Sequence, residues 1–240
     1  MDQTEQGLLC LNVLLLGRPQ AGKSATGNTL LGSYEFQSRL SPGAVTRECR
    51  LCWKTFPGFL RRQGVETTLR LRVLDTPAYP NCLLSSERVK QDVATAAEKV
   101  FPEGVHAVVL VTRADVPFCQ DDCQLVHLAE ELLGPAWRSH TLLVLSHSDS
   151  VSRAGVRSEE YLGLASGAFQ ALLESVDHRY HFVDNSAAWP QTEGRPLLEK
   201  LLRISSQSKY SRLQIKPGRV NDLSKRQQER LTHNEPIHLL

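Results

Sequence analysis

Residues 8–32 read LLCLNVLLLGRPQAGKSATGNTLLG. An apolar run, Leu8 to Leu16, leads into Gly17-Arg18-Pro19-Gln20-Ala21-Gly22-Lys23-Ser24-Ala25, and a helix-forming stretch follows. Strand, glycine loop and helix in that order make a phosphate-binding P-loop. The spacing follows from the chemistry. Gly17 and Gly22 let the backbone wind tightly enough for successive N–H groups to point inward at an anion. Lys23 reaches the terminal phosphates, the Ser24 hydroxyl suits magnesium, and the helix directs its positive end at the same charge.

The rest of the chain supplies a matching frame. Arg47–Thr55 and the alternating Thr67–Leu74 predict a hairpin at one sheet edge, joined by a turn-rich, basic Phe56–Glu66. VHAVVLVT (105–112) and TLLVLS (141–146) predict buried strands, and Tyr180–Val183 a short last one. Helices are expected from Ser85-Ser86-Glu87 to about Val100, from Asp121 to Leu133, from Ser158 to Val176 and from about Glu193 to about Ile204. Pro42-Gly43 marks a loop within the polar Ser33–Thr46. The alternation implies an α/β fold: a mainly parallel sheet with helices on both faces, in three layers. Asp75-Thr76-Pro77-Ala78, Ser146-His147-Ser148-Asp149 and Asp184-Asn185-Ser186-Ala187 all fall at C-terminal strand tips, where such sheets bind ligands. An acid at the Asp75 position commonly holds magnesium through water.

Composition bounds the reading. A chain of 240 residues suits one large domain with a tail. The net charge of +2 is too small to argue for nucleic acid. From Gln207 onward seven Lys or Arg stand against three Asp or Glu, so the end of the chain is basic. No stretch approaches the roughly 20 apolar residues of a membrane span. MDQTEQG lacks the layout of a signal peptide, so a cytoplasmic location is expected. The six cysteines are then expected to be reduced. Cys49-x-x-Cys52 and Cys119-x-x-x-Cys123 could in principle hold zinc, but residues three apart on a strand face opposite ways.

The sequence resembles the immunity-associated, AIG1-type (GIMAP) GTPases. The carrying stretches are GRPQAGKSATGNTLLG, AVTRECR, LDTPAYP, LLVLSHSDS and YHFVDNSA, with GVHAVVLVTRADVPFCQDDCQLVHLAEELLG as that family's additional box. The resemblance implies a P-loop NTPase G domain over residues 8–206, an extension at 1–7 and a flexible basic tail at 207–240. It implies GTP or GDP with magnesium as cofactors. Lys23 and the loop amides would hold the β- and γ-phosphates. Ser24 and Thr46 would ligate magnesium with Asp75 in its outer shell, Thr46 lying in a segment ordered by the γ-phosphate. Asp149 would accept from the guanine N–H groups, His147 would stack on the base and Asn185 would touch its edge.

Three departures bear on activity. Gln20 stands where most of the family has glycine. Ala78 replaces the glycine whose N–H meets the γ-phosphate, and Tyr79 follows where a glutamine could orient water. Slow hydrolysis is expected, with missing groups supplied through association across the nucleotide face. A nucleotide-gated scaffold without turnover is the alternative, and a small-molecule P-loop kinase a weaker third. The tail lacks the hydrophobic anchor of some relatives, leaving at most a weak contact with an anionic membrane surface.

Overall fold

The computed structural model describes residues 7–216 apart from 42, 44, 63–64, 82, 166 and 187–189. Residues 1–6 of the expected extension and 217–240 of the expected tail lie outside the described residues, as do Pro42 and Ala187.

The sheet grows around strand β1 (Leu8–Gly17), whose side chains from Leu11 onward are buried. A run buried on both faces belongs in the middle of a parallel sheet. β1 pairs in parallel with β3 (Val65–Asp75) on one side and β4 (Ala107–Arg113) on the other. β5 (Thr141–Ser146) and β6 (Tyr180–Val183) continue beyond β4 in parallel. β2 (Arg50–Arg62) closes the opposite edge, antiparallel to β3, giving the order β2-β3-β1-β4-β5-β6. The chain leaves β1 toward β3 and crosses back to β4, so a crevice opens above the tip of β1. Gly17 sits at that tip.

Helices cover both faces. α1 (Lys23–Leu31) and α7 (Pro190–Gln207) pack on one face, where Leu30, Leu31, Leu197 and Leu201 meet Leu11, Leu69 and Val109. α1 and α7 touch closely: a Cβ on Gly194 would stand 1.9 Å from the Thr29 carbonyl oxygen, so no larger residue fits. α2 (Ser86–Val100), α3 (Gln120–Leu133) and α6 (Gly167–Ser175) cover the other face through Val89, Val93, Leu125, Leu128 and Leu172. Short helices α4 (Ser148–Arg153) and α5 (Ser158–Gly163) link β5 to α6.

Several expected boundaries are corrected. The connection expected at 56–66 is mostly strand, because Pro57-Gly58 is absorbed as an irregularity between Phe56 and Leu60 while pairing resumes at Leu60↔Thr67. The single helix expected over 158–176 is two, α5 and α6. Gly163 and Gly167 flank the break, where helix formation is least favourable, and Leu164 is 76 % exposed rather than core-facing. α7 begins at Pro190, ahead of the expected Glu193, a first-turn position where the missing N–H costs nothing. Past α7 the chain stays packed through Lys216. Val105 and Leu213 exchange backbone hydrogen bonds, and the Leu213 side chain is buried. Residue 206 lies in the last turn of α7, and residues 208–216 follow it against the domain. Cys49 packs with the α2 face and Cys52 with the α1 face, so the two thiols do not converge. The five described cysteines are free.

Candidate functional site

The loop after β1 is built for an anion. Gln20 and Gly22 both take left-handed backbone conformations, with φ of 59° and 77°, and the Ala21 N–H donates to the Arg18 carbonyl at 3.2 Å. Such a winding turns successive N–H groups inward. At Gly22 a side chain is disfavoured by the positive φ and crowded by Asn185 Nδ2 at 3.2 Å from where a Cβ would lie.

Below the loop the expected metal and phosphate residues converge. Lys23 Nζ lies 3.5 Å from Asp75 Oδ1, with both side chains buried. The Ser24 hydroxyl donates to Asp75 Oδ2 at 2.6 Å, and Thr46 Oγ1 lies 3.0 Å from Ser24 Oγ and 3.4 Å from the same carboxylate oxygen. Asp75 Oδ1 is buried and accepts no hydrogen bond. Two hydroxyls and a carboxylate form an oxygen-only donor set, which fits a hard divalent cation such as Mg²⁺.

The far end of the site lies at the tips of β5 and β6. Buried Ser146 donates to the Ala21 carbonyl at 2.7 Å and so ties β5 to the phosphate loop. His147 takes a left-handed φ of 57°, its Nδ1 2.9 Å from Ser146 Oγ. Asp149 stands in the first turn of α4 and is ion-paired with Arg153 one turn on. The Asn185 amide is held by α1 and the loop: it donates to Thr26 Oγ1 at 3.1 Å and Gly22 O at 3.4 Å, and accepts from Thr29 Oγ1 at 2.9 Å. The Asn185 amide thus braces the loop against α1 while the residue faces the cavity.

One cavity of about 470 Å³ joins the two ends. Arg18, Pro19, Gln20, Ala21, Gly22, Lys23, Ser24, Ala25, Thr46, Ala78, His147, Asp149 and Asn185 all line it. Gly17 and Asp75 lie beneath its wall. Tyr79 does not reach it, for its ring is buried in the α2-side core and its N–H donates to the Gly17 carbonyl at 3.1 Å. Arg113 and Gln37 to Ser41 also line the cavity and were not singled out from the sequence. Arg113 was within reach of the strand-tip rule, since it ends β4. It is held bidentately by Asp115, whose carboxyl lies below its ordinary range because of the Arg113 hydrogen bonds. Segment 37–41 carried no motif. It is fastened by Phe36, which exchanges two hydrogen bonds with the buried Asn28 side chain, and by Gln20 Nε2, which donates to the Ser41 carbonyl at 3.2 Å.

A P-loop at the switch point of a six-stranded α/β sheet, with an acid at the tip of β3 and another beyond β5, defines a G domain of the P-loop NTPase class. The fold is shared with Toc33 from Arabidopsis thaliana solved with Mg²⁺ and GMPPNP, at a TM-score of 0.57 and 17 % identity over 86 % of this chain and 87 % of that one. It is shared also with the chloroplast translocon components atToc33 and psToc159, described by the dependence of their GTPase activity on dimerisation, at a TM-score of 0.59 and 18 % identity over 82 % and 83 % of the two chains. The AIG1 family model matches residues 11–231, and the chain belongs to that family. Among its relatives, the immune-associated nucleotide-binding protein 7 of Arabidopsis thaliana is 28 % identical over 178 residues, 72 % of this chain and 53 % of the relative. The immune-associated nucleotide-binding protein 13 of the same plant is 26 % identical over 81 % of this chain and 54 % of its own length. The chain thus matches about half the length of these relatives.

Proposed function

We propose that the protein is a guanine-nucleotide switch that binds GTP and GDP with Mg²⁺ and turns GTP over slowly. The observation that carries the reading is a single cavity with phosphate chemistry at one end and a carboxylate at the other. Lys23 and the loop amides meet the phosphates, while Ser24, Thr46 and Asp75 hold the metal, which neutralises phosphate charge. Asp149 accepts from the guanine N–H groups, a pattern adenine cannot offer, and His147 supplies a ring face beside the base. Guanine binding requires Asp149 to share its carboxylate with Arg153.

Slow turnover follows from Tyr79, whose ring lies in the core, so no side chain at that position orients water. Association through the nucleotide face would supply groups in trans. Leu40, 95 % exposed at the cavity, and Leu83, 66 % exposed just past Asn81, offer apolar surface for it. A non-hydrolysing scaffold that recruits a partner when loaded is the second reading, and the buried Tyr79 favours it. A cytoplasmic location and weak membrane contact by the basic tail complete the proposal. Among the described residues no helix is long and apolar enough to cross a membrane.

The test is titration with fluorescent GTP, GDP and ATP analogues in magnesium, followed by turnover at several protein concentrations. Tight guanine binding with turnover per molecule rising with concentration supports an associating GTPase. Tight binding without turnover selects the scaffold. Equal affinity for ATP would sink the guanine reading.

A further inference from the structure

Arg18, the second residue of the phosphate loop, is bound to a helix far along the chain. Its Nε donates to Asp122 Oδ1 at 3.2 Å, and Asp122 belongs to the first turn of α3. The carboxylate is 2 % exposed and the Arg18 side chain 16 %. Asp122 is fully engaged. Oδ1 also accepts from Thr112 Oγ1 at 2.8 Å, and Oδ2 accepts from the Cys119 backbone N–H at 3.0 Å and from its thiol at 3.3 Å. One buried anion thus joins the phosphate loop, the end of β4 and the cap of α3.

From this geometry we infer that Asp122 is a positioning residue for the nucleotide site, acting through Arg18. The inference rests on the guanine-nucleotide reading above. A carboxylate out of water holds its cation strongly only if its other lone pairs are filled, and here Thr112 and Cys119 fill them. With its Nε so held, Arg18 fixes the start of the loop relative to α3, while Lys23 supplies the charge that meets the phosphates. The loop amides keep their inward aim because the residue preceding Pro19 cannot drift. The additional box of residues 105–133 is thereby coupled to the nucleotide, and a partner that displaced the start of α3 would loosen it.

The experiment is a double-mutant cycle read as release of fluorescent GDP from the magnesium-loaded full chain, using Asp122→Asn, Arg18→Ala and the pair. Each single change should speed release about tenfold, the size of one lost charge-assisted hydrogen bond, and the pair should be no faster than either. Thr112→Val removes a hydrogen bond to the same carboxylate without touching Arg18, and should speed release by less than either single change at Asp122 or Arg18. Additive effects, unchanged release, slower release in Asp122→Asn, or a Thr112→Val effect as large as the others would each overturn the inference while leaving the nucleotide reading intact. A wild-type chain that binds no guanine nucleotide would overturn that reading, and the inference with it.

Discussion

Lys23 and Asp75 face each other as a buried pair beneath the phosphate loop, Nζ 3.5 Å from Oδ1, and the same carboxylate takes the Ser24 hydroxyl on its other oxygen. The arrangement keeps a cation and an anion out of water at the one point where phosphate and metal would each find their opposite. Lys23→Ala should lower GDP and GTP affinity by about 10- to 100-fold, the worth of a hydrogen bond to a charged group. It should also cost on the order of 1–3 kcal/mol of stability, because Asp75 stays buried without its cation. Isothermal titration and urea unfolding give the two numbers. Full affinity in this variant would mean that the phosphates are not held by this loop.

Asp149 and Arg153 make the second decisive contact. Arg153 occupies the carboxylate from the next turn of α4, yet its own side chain is largely exposed, so the pair is worth little to folding. Asp149→Ala should leave phosphate binding in place and reduce the preference for GDP over ADP by about 10-fold or more. Arg153→Ala should move the preference the other way, because the guanine then has no competitor for Asp149. Competition titrations with ADP and GDP measure both. An unchanged preference in Asp149→Ala would move base reading to another residue.

The parts legible in the sequence are those fixed by local chemistry. Gly17 through Ser24 serve one anion within one turn of chain, so their spacing alone carries the message. Asp75 and Asp149 were legible because buried strands predict where their tips point. The braces were not. Ser146 to Ala21, Asn185 to Thr29 and Asp122 to Arg18 each join residues more than a hundred positions apart, and no local pattern encodes that register. The break after Gly163 was signalled by its flanking glycines but hidden by the apolar period that runs across it, and the docked Leu213 was missed because its pairing with Val105 is tertiary. The left-handed backbone at Gln20 was visible only as an odd residue where the family has glycine.

That Gln20 conformation sets two effects against each other. A non-glycine residue at φ 59° costs roughly 1–2 kcal/mol, whereas the exposed hydrogen bond that its side-chain amide donates to the Ser41 carbonyl returns about 0.5 kcal/mol. Strain wins on these magnitudes. Gln20→Gly should therefore raise stability by about 0.5–1 kcal/mol. It should also untie segment 37–41 from the loop and speed nucleotide exchange by about two- to threefold. Thermal unfolding and fluorescent GDP exchange test the two halves. A lower melting temperature would show that the tie to Ser41 outweighs the strain.

At the opposite end of the sheet, His106 sets a pH dependence. Burial, reinforced by nearby Arg212 and His140, pulls its pKa from 6.5 down to about 4. Geometry explains the direction. The Asn12 N–H points at Nδ1 from 3.0 Å and Arg212 Nε at Nε2 from 3.1 Å; a neutral ring accepts at one of its two nitrogens, whereas a ring protonated on both accepts at neither. The unfolded chain takes up this proton first, so the stability that His106 contributes is complete above pH 6.5 and is lost as pH falls toward 4. Its share is on the order of 3 kcal/mol. His181, also lowered to about 4 by burial and by Lys200, acts in the same window. Urea midpoints should fall steadily between pH 6.5 and 4, and His106→Gln should flatten that slope while leaving the His181 part. Because Arg212 precedes Leu213, whose backbone pairs with Val105, acid should also free the segment after α7 before the nucleotide site opens. Hydrogen exchange at Leu213 and at Thr26, followed from pH 6.5 to 4.5, would separate the two; simultaneous loss of protection would mean that the docked segment and the G domain unfold as one unit.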